Sequence, residues 1–259
     1  MVRRWLPKRL LHGEEATLVE HLDELRTRLI VVLFALVPAF LLAFVFHEQI
    51  QEWLIGPLPD DKKLVTLGVT EPFTTSVKVS LIAGLALALP VLLWQVWAFF
   101  APAVEPHFQR VVLVFVVLAT ALFATGVAFM YYVVLPRALD FLTSYDDNIY
   151  NIQIRASYYY NFAAMTLLAG GLAFLMPIFV LGLVRLHVLT SQQLRSNRRI
   201  AYVLLLVFAI LLPTVDPVSL AFEVVPLLLL FELSIWLSVL MERRWQRNWD
   251  EGLAEAELP

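Results

Sequence analysis

The stretch HLDELRTRLI, residues 21–30, places four charged side chains directly before an apolar run. The run continues as VVLFALVPAFLLAFVF over residues 31–46. It approaches the length of about 20 apolar residues that a helix needs to cross a bilayer. Basic side chains are common at the ends of such helices, but anchoring does not explain two acids beside them. The stretch therefore predicts a membrane helix whose charged end has a second role.

The composition of the whole chain is that of a membrane protein. Of its 259 residues, 60% are hydrophobic and 16% are charged, and the mean hydropathy is +0.77. Soluble domains are nearer one-half apolar and about one-quarter charged. The net charge of −3 argues against a nucleic-acid partner, and the absence of cysteine excludes disulfides and cysteine-ligated metals. No cofactor is expected.

Six apolar segments follow one another along the chain, and each has the composition of a membrane span. The predicted spans are 29–46, 73–100, 111–135, 158–184, 200–212 and 218–240. We therefore predict an all-α integral membrane protein with six transmembrane helices, the last two of them short. The whole chain is expected to form one membrane domain, and its tail, residues 241–259, is expected to be disordered.

The distribution of basic residues predicts the orientation. Of the 19 Lys and Arg residues, 14 fall on one side of the predicted spans and 5 on the other. Cytoplasmic loops carry the excess of Lys and Arg in membrane proteins. Both termini are therefore expected in the cytoplasm, in a multi-pass protein of the cytoplasmic, or inner, membrane.

The charged stretch itself has two interpretations. Thr17 and Glu20 have the spacing of a capping box, which predicts a helix start near Thr17. Glu24 and Arg28 have the i,i+4 spacing of an ion pair on one helix face. The structural interpretation is a solvated helix base with basic anchors. The functional interpretation is an anionic recognition patch centred on Glu24.

A second group of candidates lies between the second and third spans. Phe99 belongs to an aromatic cluster at the end of the second span, which by itself is typical of a membrane interface. Glu105 precedes Pro106, which suits the first turn of a helix. Glu105 is therefore expected near a helix N-terminus, where the helix dipole favours an ionised carboxylate.

Three acids accompany the last span. Asp216 is predicted in a tight hairpin, and Glu223 lies about five residues into the span. A carboxylate at membrane depth is a functional candidate, although Glu223 is close enough to the interface for its side chain to reach water. Glu232 is interpreted as a structural anchor that pairs with Arg243 or Arg244.

No enzyme signature is present, and no histidine pair has the spacing of metal ligands. The protein is therefore not expected to be an enzyme. The alternative to a recognition protein is a secondary transporter or channel for a small solute. Such a protein needs polar residues along a midplane path, and Asn161 and Thr166 are the best available in the third and fourth spans.

The order of several motifs resembles that of one known family. HLDELRTRL is followed by EPF, Lys78, Pro90, QVWAFFAP and VDP, and a last span ends in FEL. This pattern, from about Thr17 to Leu240, resembles TatC, the polytopic core subunit of the twin-arginine protein translocase. The resemblance implies six spans with both termini in the cytoplasm.

The resemblance also implies a function. TatC-like proteins are receptors for the twin-arginine signal peptides of folded cargo. They assemble with the single-span subunits TatA and TatB in oligomeric complexes, and transport draws on the proton-motive force. By position, Glu24 and Arg26 match the charged pair of the family's first motif, and Phe99 matches its aromatic residue after the second span.

Three positions depart from the family pattern. The family's second recognition glutamate falls on Phe108, its carboxylate in the fourth span falls on Leu175, and a polar residue after the hairpin falls on Leu220. Glu105 and Glu223 each lie three residues from one of these positions. We therefore expect signal-peptide binding by Glu24, Arg26, Phe99, Glu105 and Phe108, and a polar partner or intramembrane role for Asp216 and Glu223.

Overall fold

A computed structural model gives the architecture of the chain. It describes residues 18–59, 62–100, 108–145, 149, 152–185, 188–211 and 217–256, with side chains over 23–59, 62–98, 112–145, 149, 152–185, 188–211 and 217–241. The described residues are almost entirely helical, as the composition predicts. The exception is a pair of two-residue strands in the loops, which the sequence gives no reason to expect.

Ten α-helices and two strands follow one another in the described residues. They are α1 (Leu18–Val45), α2 (His47–Ile55), β1 (Leu64–Val65), α3 (Glu71–Phe100), α4 (Phe108–Phe129), α5 (Leu135–Ser144), β2 (Ile154–Arg155), α6 (Ala156–Ala173), α7 (Met176–Arg185), α8 (Ser191–Ser196), α9 (Arg198–Leu211) and α10 (Pro217–Ala256). A five-residue π-helical turn, Met130–Val134, joins α4 to α5. Helix α1 begins next to Thr17, where the capping box predicts a start, although Thr17 lies outside the described residues.

Among the described residues, five helical segments are long and apolar enough to cross a membrane. They are Asp23–Val45, Glu71–Ala98, Val112–Ser144, Ala156–Arg185 and Pro217–Met241. The segment predicted as a fifth span, 200–212, corresponds to α9, whose 14 residues rise only about 21 Å. The prediction that the final span is short is wrong, because the segment Pro217–Met241 at the start of α10 has 25 residues and is long and apolar enough to cross a membrane.

The third spanning segment extends beyond the predicted end at residue 135. Pro136 follows this point, and a proline within a helix lacks an N–H while its ring clashes with the carbonyl four residues earlier. The π-helical turn places that carbonyl, of Tyr132, in a wider turn, and the Leu135 N–H donates to the Met130 carbonyl five residues back. The helix therefore continues past Pro136 to Ser144.

The fourth spanning segment is divided into two helices. Helix α6 ends at Ala173, and α7 begins at Met176, with Pro177 as its second residue. A proline in the first turn costs no hydrogen bond, because the N–H groups there have no partner in the helix. Leu175, at this break, is buried.

The chain divides into two compact units, while the prediction of one membrane domain stays a prediction. The first comprises residues 1–53 and 68–120, and the second comprises 54–67 and 121–259. The division between residues 120 and 121 falls inside α4, not in a linker. This explains why no change in composition marks it in the sequence.

In the first unit, α1 and α3 pack along most of their length in antiparallel register. The Ser80 hydroxyl donates to the Ala43 carbonyl at 3.5 Å. Gly84 allows the closest approach, because a Cβ atom there would lie 2.8 Å from the Phe40 Cα atom. Because the two helices are antiparallel, residues later in α1 face residues earlier in α3. The contact at Gly84 therefore determines which residues of α1 and α3 face each other at both ends of the pair.

In the second unit, the two loop strands pair in parallel, with Leu64 opposite Ile154. Beside them, the buried Tyr159 hydroxyl donates to the Leu54 carbonyl at 2.7 Å. These contacts hold residues 54–67 against the start of α6. Within the same unit, α10 packs against α5, α7 and α9.

The tail is helical where the sequence predicts disorder. Helix α10 continues beyond the predicted span end at residue 240 to Ala256. Residues 241–256, MERRWQRNWDEGLAEA, are rich in Ala, Leu, Glu, Arg and Gln, which have high helix propensity. A helix already started by the apolar span needs no new nucleus, so these residues extend it.

Candidate functional site

The carboxylate of Glu24 is held by Arg28 at the charged end of the first span. The Arg28 Nε donates to Glu24 Oε1 at 3.1 Å, and Nη2 donates to the same oxygen. The i,i+4 ion pair predicted from the sequence is thus confirmed. Both bonds end on Oε1, so Arg28 fixes the direction of the carboxylate. Neither bond involves the second oxygen, Oε2.

Arg28 also contacts the end of α3. Its Nη1 donates to Gln95 Oε1 at 3.3 Å, and its Nη2 donates to the Ala98 carbonyl at 2.9 Å. Ala98 is one of the last four residues of α3, whose carbonyl groups have no partner within the helix. A guanidinium there satisfies one of them and interacts favourably with the helix dipole.

The second oxygen of Glu24 faces a different environment. The Glu24 side chain is 18% exposed, and among the described residues no donor contacts Oε2. Asp23 and Arg26, on either side of it in sequence, are exposed. The arrangement offers a partly desolvated carboxylate oxygen, fixed in orientation, to a ligand that donates N–H bonds.

The remaining residues of the predicted recognition site are only partly described. Phe99 is the second-last residue of α3, and Phe108 is the first of α4, but their side chains lie outside the described residues. Glu105 and Asp216 lie outside them entirely. The structure therefore places Glu24 and Arg26 on α1 and the backbone of Phe99 on α3. The grouping with Glu105 and Phe108 stays a prediction.

Glu223 lies inside the second unit and does not reach the surface. Only 3% of it is exposed, in the second turn of α10. The interpretation that its side chain extends to water is therefore wrong for this fold. On the same unit, the Arg137 guanidinium lies 5.8 Å from the ring centroid of Phe222, the preceding residue.

Two leucines that stand at polar positions of the family take part in apolar packing. Leu175 is 2% exposed. Leu220 packs against a buried cluster of Ala173, Ala209 and Leu227. Since a carboxylate in such a cluster would need a partner to offset its desolvation, the apolar residues are consistent with their surroundings.

Glu232 acts as a structural anchor, but its described partners lie on α9. Its Oε2 forms an ion pair with the Arg198 Nη2 at 3.0 Å, and its Oε1 accepts a hydrogen bond from the Tyr202 hydroxyl. The side chains of Arg243 and Arg244, which were proposed as partners, lie outside the described residues. The pair ties α9 to α10.

The polar residues required by a solute pathway do not share a surface. Asn161 is exposed, whereas Thr166 is completely buried. The two residues are five positions apart on α6, so their side-chain directions differ by about 140°. The structure thus gives the transporter alternative no continuous polar path on this helix.

The role of Gln95 was missed at the sequence level. Its side chain contacts Arg28, so it joins two helices. Its only sequence signal is an amide among apolar residues, 67 positions away from its partner.

Comparison with known proteins identifies the family. The sequence profile described as "Sec-independent protein translocase protein (TatC)" matches residues 20–226. The TatCd protein of Bacillus subtilis is 36% identical over 235 residues, covering 91% of this chain and 96% of the relative. The TatC protein of Carboxydothermus hydrogenoformans is 34% identical over 232 residues, covering 88% and 95%.

Comparison with solved structures points to the same family as the sequence comparison. A crystal structure described as "Twin Arginine Translocase Receptor- TatC in DDM" superposes with a TM-score of 0.76 at 34% identity, covering 84% of this chain and 99% of that one. A second TatC crystal structure gives a TM-score of 0.75 at 34% identity, covering 85% and 98%. With its apolar helices, the chain is a multi-pass membrane protein, and it belongs to the TatC family of Sec-independent protein translocase proteins.

Proposed function

We propose that the chain is a receptor that binds the twin-arginine signal peptides of folded proteins. It acts with the single-span subunits TatA and TatB, as an oligomer in the cytoplasmic membrane, and transport is driven by the proton-motive force. The solved relatives described as twin-arginine translocase receptors support this function.

One observation carries the proposal, namely the fixed orientation of the Glu24 carboxylate. A guanidinium is best matched by a carboxylate, which can accept its N–H groups in a defined geometry. Glu24 binds Arg28 through Oε1 alone, and no donor among the described residues contacts its Oε2. A peptide arginine can bind that oxygen without displacing Arg28.

The other predicted site residues complete the recognition surface. Arg26 continues the charged face, Glu105 supplies the carboxylate for the second arginine, and Phe99 and Phe108 form an apolar floor. Aromatic rings stack on guanidinium groups with a gain of ~0.5–2 kcal/mol. Asp216 and Glu223 contribute a separate polar region for partner subunits.

A binding measurement tests the proposal directly. The full-length protein in lipid nanodiscs is titrated with a labelled signal peptide that carries two adjacent arginines, and with the same peptide carrying two lysines. We expect the diarginine peptide to bind at least about tenfold more tightly, because lysine lacks the planar arrangement of donors. Equal affinity for the two peptides would contradict a twin-arginine receptor.

The orientation has its own test. Gln192 is exposed in α8 and is predicted on the cytoplasmic side, and the chain has no native cysteine. In intact cells, Gln192→Cys is expected to resist an impermeant thiol reagent and to react after the membrane is opened. Glu52→Cys, on the opposite predicted side, is the matched control and is expected to react at once. Labelling of residue 192 in intact cells would show that the protein has the opposite orientation to the predicted one.

A further inference from the structure

Arg28 connects the Glu24 carboxylate to the α3 end that carries Phe99. With the described residues it makes four hydrogen bonds: two reach Glu24 Oε1, one reaches Gln95 and one reaches the Ala98 carbonyl. Its side chain is only 20% exposed, which is low for an arginine. A simple interfacial anchor would extend toward solvent or lipid headgroups.

We infer that Arg28 is a positioning residue that gives the receptor its preference for arginine over lysine. The inference rests on the proposed function, since it concerns the same carboxylate. Arg28 does not contact the peptide. It restrains Glu24 through one oxygen, so that the other oxygen points in one direction relative to α3.

The electrostatics support a role in specificity over one in affinity. Glu24 and Arg28 form a neutral pair, so the pair attracts any incoming cation weakly at long range. Discrimination must therefore come from short-range hydrogen-bond geometry at Oε2. A fixed acceptor favours the planar, directional donors of a guanidinium, whereas the rotating donors of an ammonium adapt to any acceptor direction.

Gln95 is the second component of this arrangement. Its side-chain oxygen accepts from the Nη1 of Arg28, the one terminal nitrogen that does not bind Glu24. This bond keeps the guanidinium plane from rotating about its bonds to Glu24. Without it, the guanidinium would be tied to α3 by the Ala98 bond alone, and the direction of the carboxylate would be less restrained even though the ion pair remained.

The test compares affinities for the diarginine and dilysine peptides in Arg28→Lys and in Gln95→Leu. Lysine keeps the charge but has three donors on one nitrogen, so it cannot hold all four bonds. Each variant is expected to reduce the ratio of diarginine to dilysine affinity by about threefold to tenfold, the loss associated with one net hydrogen bond. Arg195→Lys, an exposed arginine on α8, is the matched control and should leave the ratio unchanged.

The double variant separates positioning from support of the fold. If both residues act through one geometry, Arg28→Lys combined with Gln95→Leu lowers the ratio no further than either change alone. If the variants lowered the affinities for the diarginine and dilysine peptides equally, or left both affinities unchanged, the inference would be wrong. Arg28 would then act only as a cap of α3. If Gln95→Leu folds but Arg28→Lys does not, the ratio of diarginine to dilysine affinity in Gln95→Leu alone tests the inference. A wild-type ratio in that variant would overturn it.

Failure of the inference differs from failure of the proposed function. If the wild type does not discriminate between the peptides, the receptor function itself is wrong. If the wild type discriminates and loses binding when Glu24 is changed, yet both variants keep the wild-type ratio, only the role of Arg28 is overturned.

Discussion

Replacing Glu24 by alanine is expected to weaken binding of a twin-arginine signal peptide by about tenfold to a hundredfold. The variant removes a charge-assisted hydrogen bond, which contributes ~1.5–3 kcal/mol. It also converts the neutral Glu24–Arg28 pair into an uncompensated positive charge beside the incoming guanidinium. Glu24→Gln should lose most of the affinity as well, since the amide offers one acceptor oxygen and no charge. Titration of the peptide against each variant in nanodiscs measures the effect.

The matched control is Asp23→Ala, which makes the same charge change at the neighbouring, exposed position. It should change the affinity by less than about threefold, because exposed charges interact weakly. Glu105→Ala tests the second carboxylate and is expected to fall in the same range as Glu24→Ala. If Glu105→Ala binds like the wild type while Glu24→Ala does not, the receptor has a single acidic site.

The second large effect is expected at Gly84, where the first unit is most closely packed. A Cβ atom there would lie 2.8 Å from the Phe40 Cα atom and 2.9 Å from its backbone nitrogen. These are backbone atoms, which cannot rotate away. Gly84→Ala must therefore separate α1 from α3, at a cost of about 1–3 kcal/mol that exceeds the gain of ~1 kcal/mol in helix propensity.

Thermal unfolding of the full-length protein in nanodiscs measures this change, and the unfolding temperature should fall. Gly68→Ala is the control, because its Cβ atom would meet only the Glu71 Cβ atom, at an ordinary 3.8 Å. The separation of the helices should also lengthen the bonds from Arg28 to α3, so peptide discrimination should fall together with stability. An unfolding temperature equal to that of the wild type would show that the helices are not held together at this glycine.

The sequence predicts the spanning helices where apolar runs are long, and fails where a local signal is overridden by context. The first, second and fourth spans agree with the structure to within six residues, because each is a long apolar run with charged ends. The third span continues past its predicted end at residue 135, because the π-helical turn accommodates Pro136. The two-residue strands β1 and β2 pair residues about ninety positions apart, and no periodicity marks so short an element.

The candidate site shows the same limit. The bond between Glu24 and Arg28 is local, so the i,i+4 rule finds it. The contacts of Arg28 with Gln95 and Ala98 depend on how α1 and α3 align, and Gly84 fixes that alignment through a contact with Phe40. No pattern within either helix contains this information, so the sequence alone does not reveal the role of Gln95.

The π-helical turn has a consequence for the helical phase of the third span. Each residue rotates the side-chain direction by about 100°, so one additional residue turns everything after it by that angle. Downstream of the turn, α5 buries Leu135, Ala138 and Leu139. The wider π-helical turn absorbs one extra residue, so deleting one residue from Met130–Val134 would restore a regular helix and leave this buried stripe facing the same neighbours. A relative without the turn is therefore expected to carry a one-residue gap here, whereas one that keeps the residue in a regular helix would lose the packing of α5.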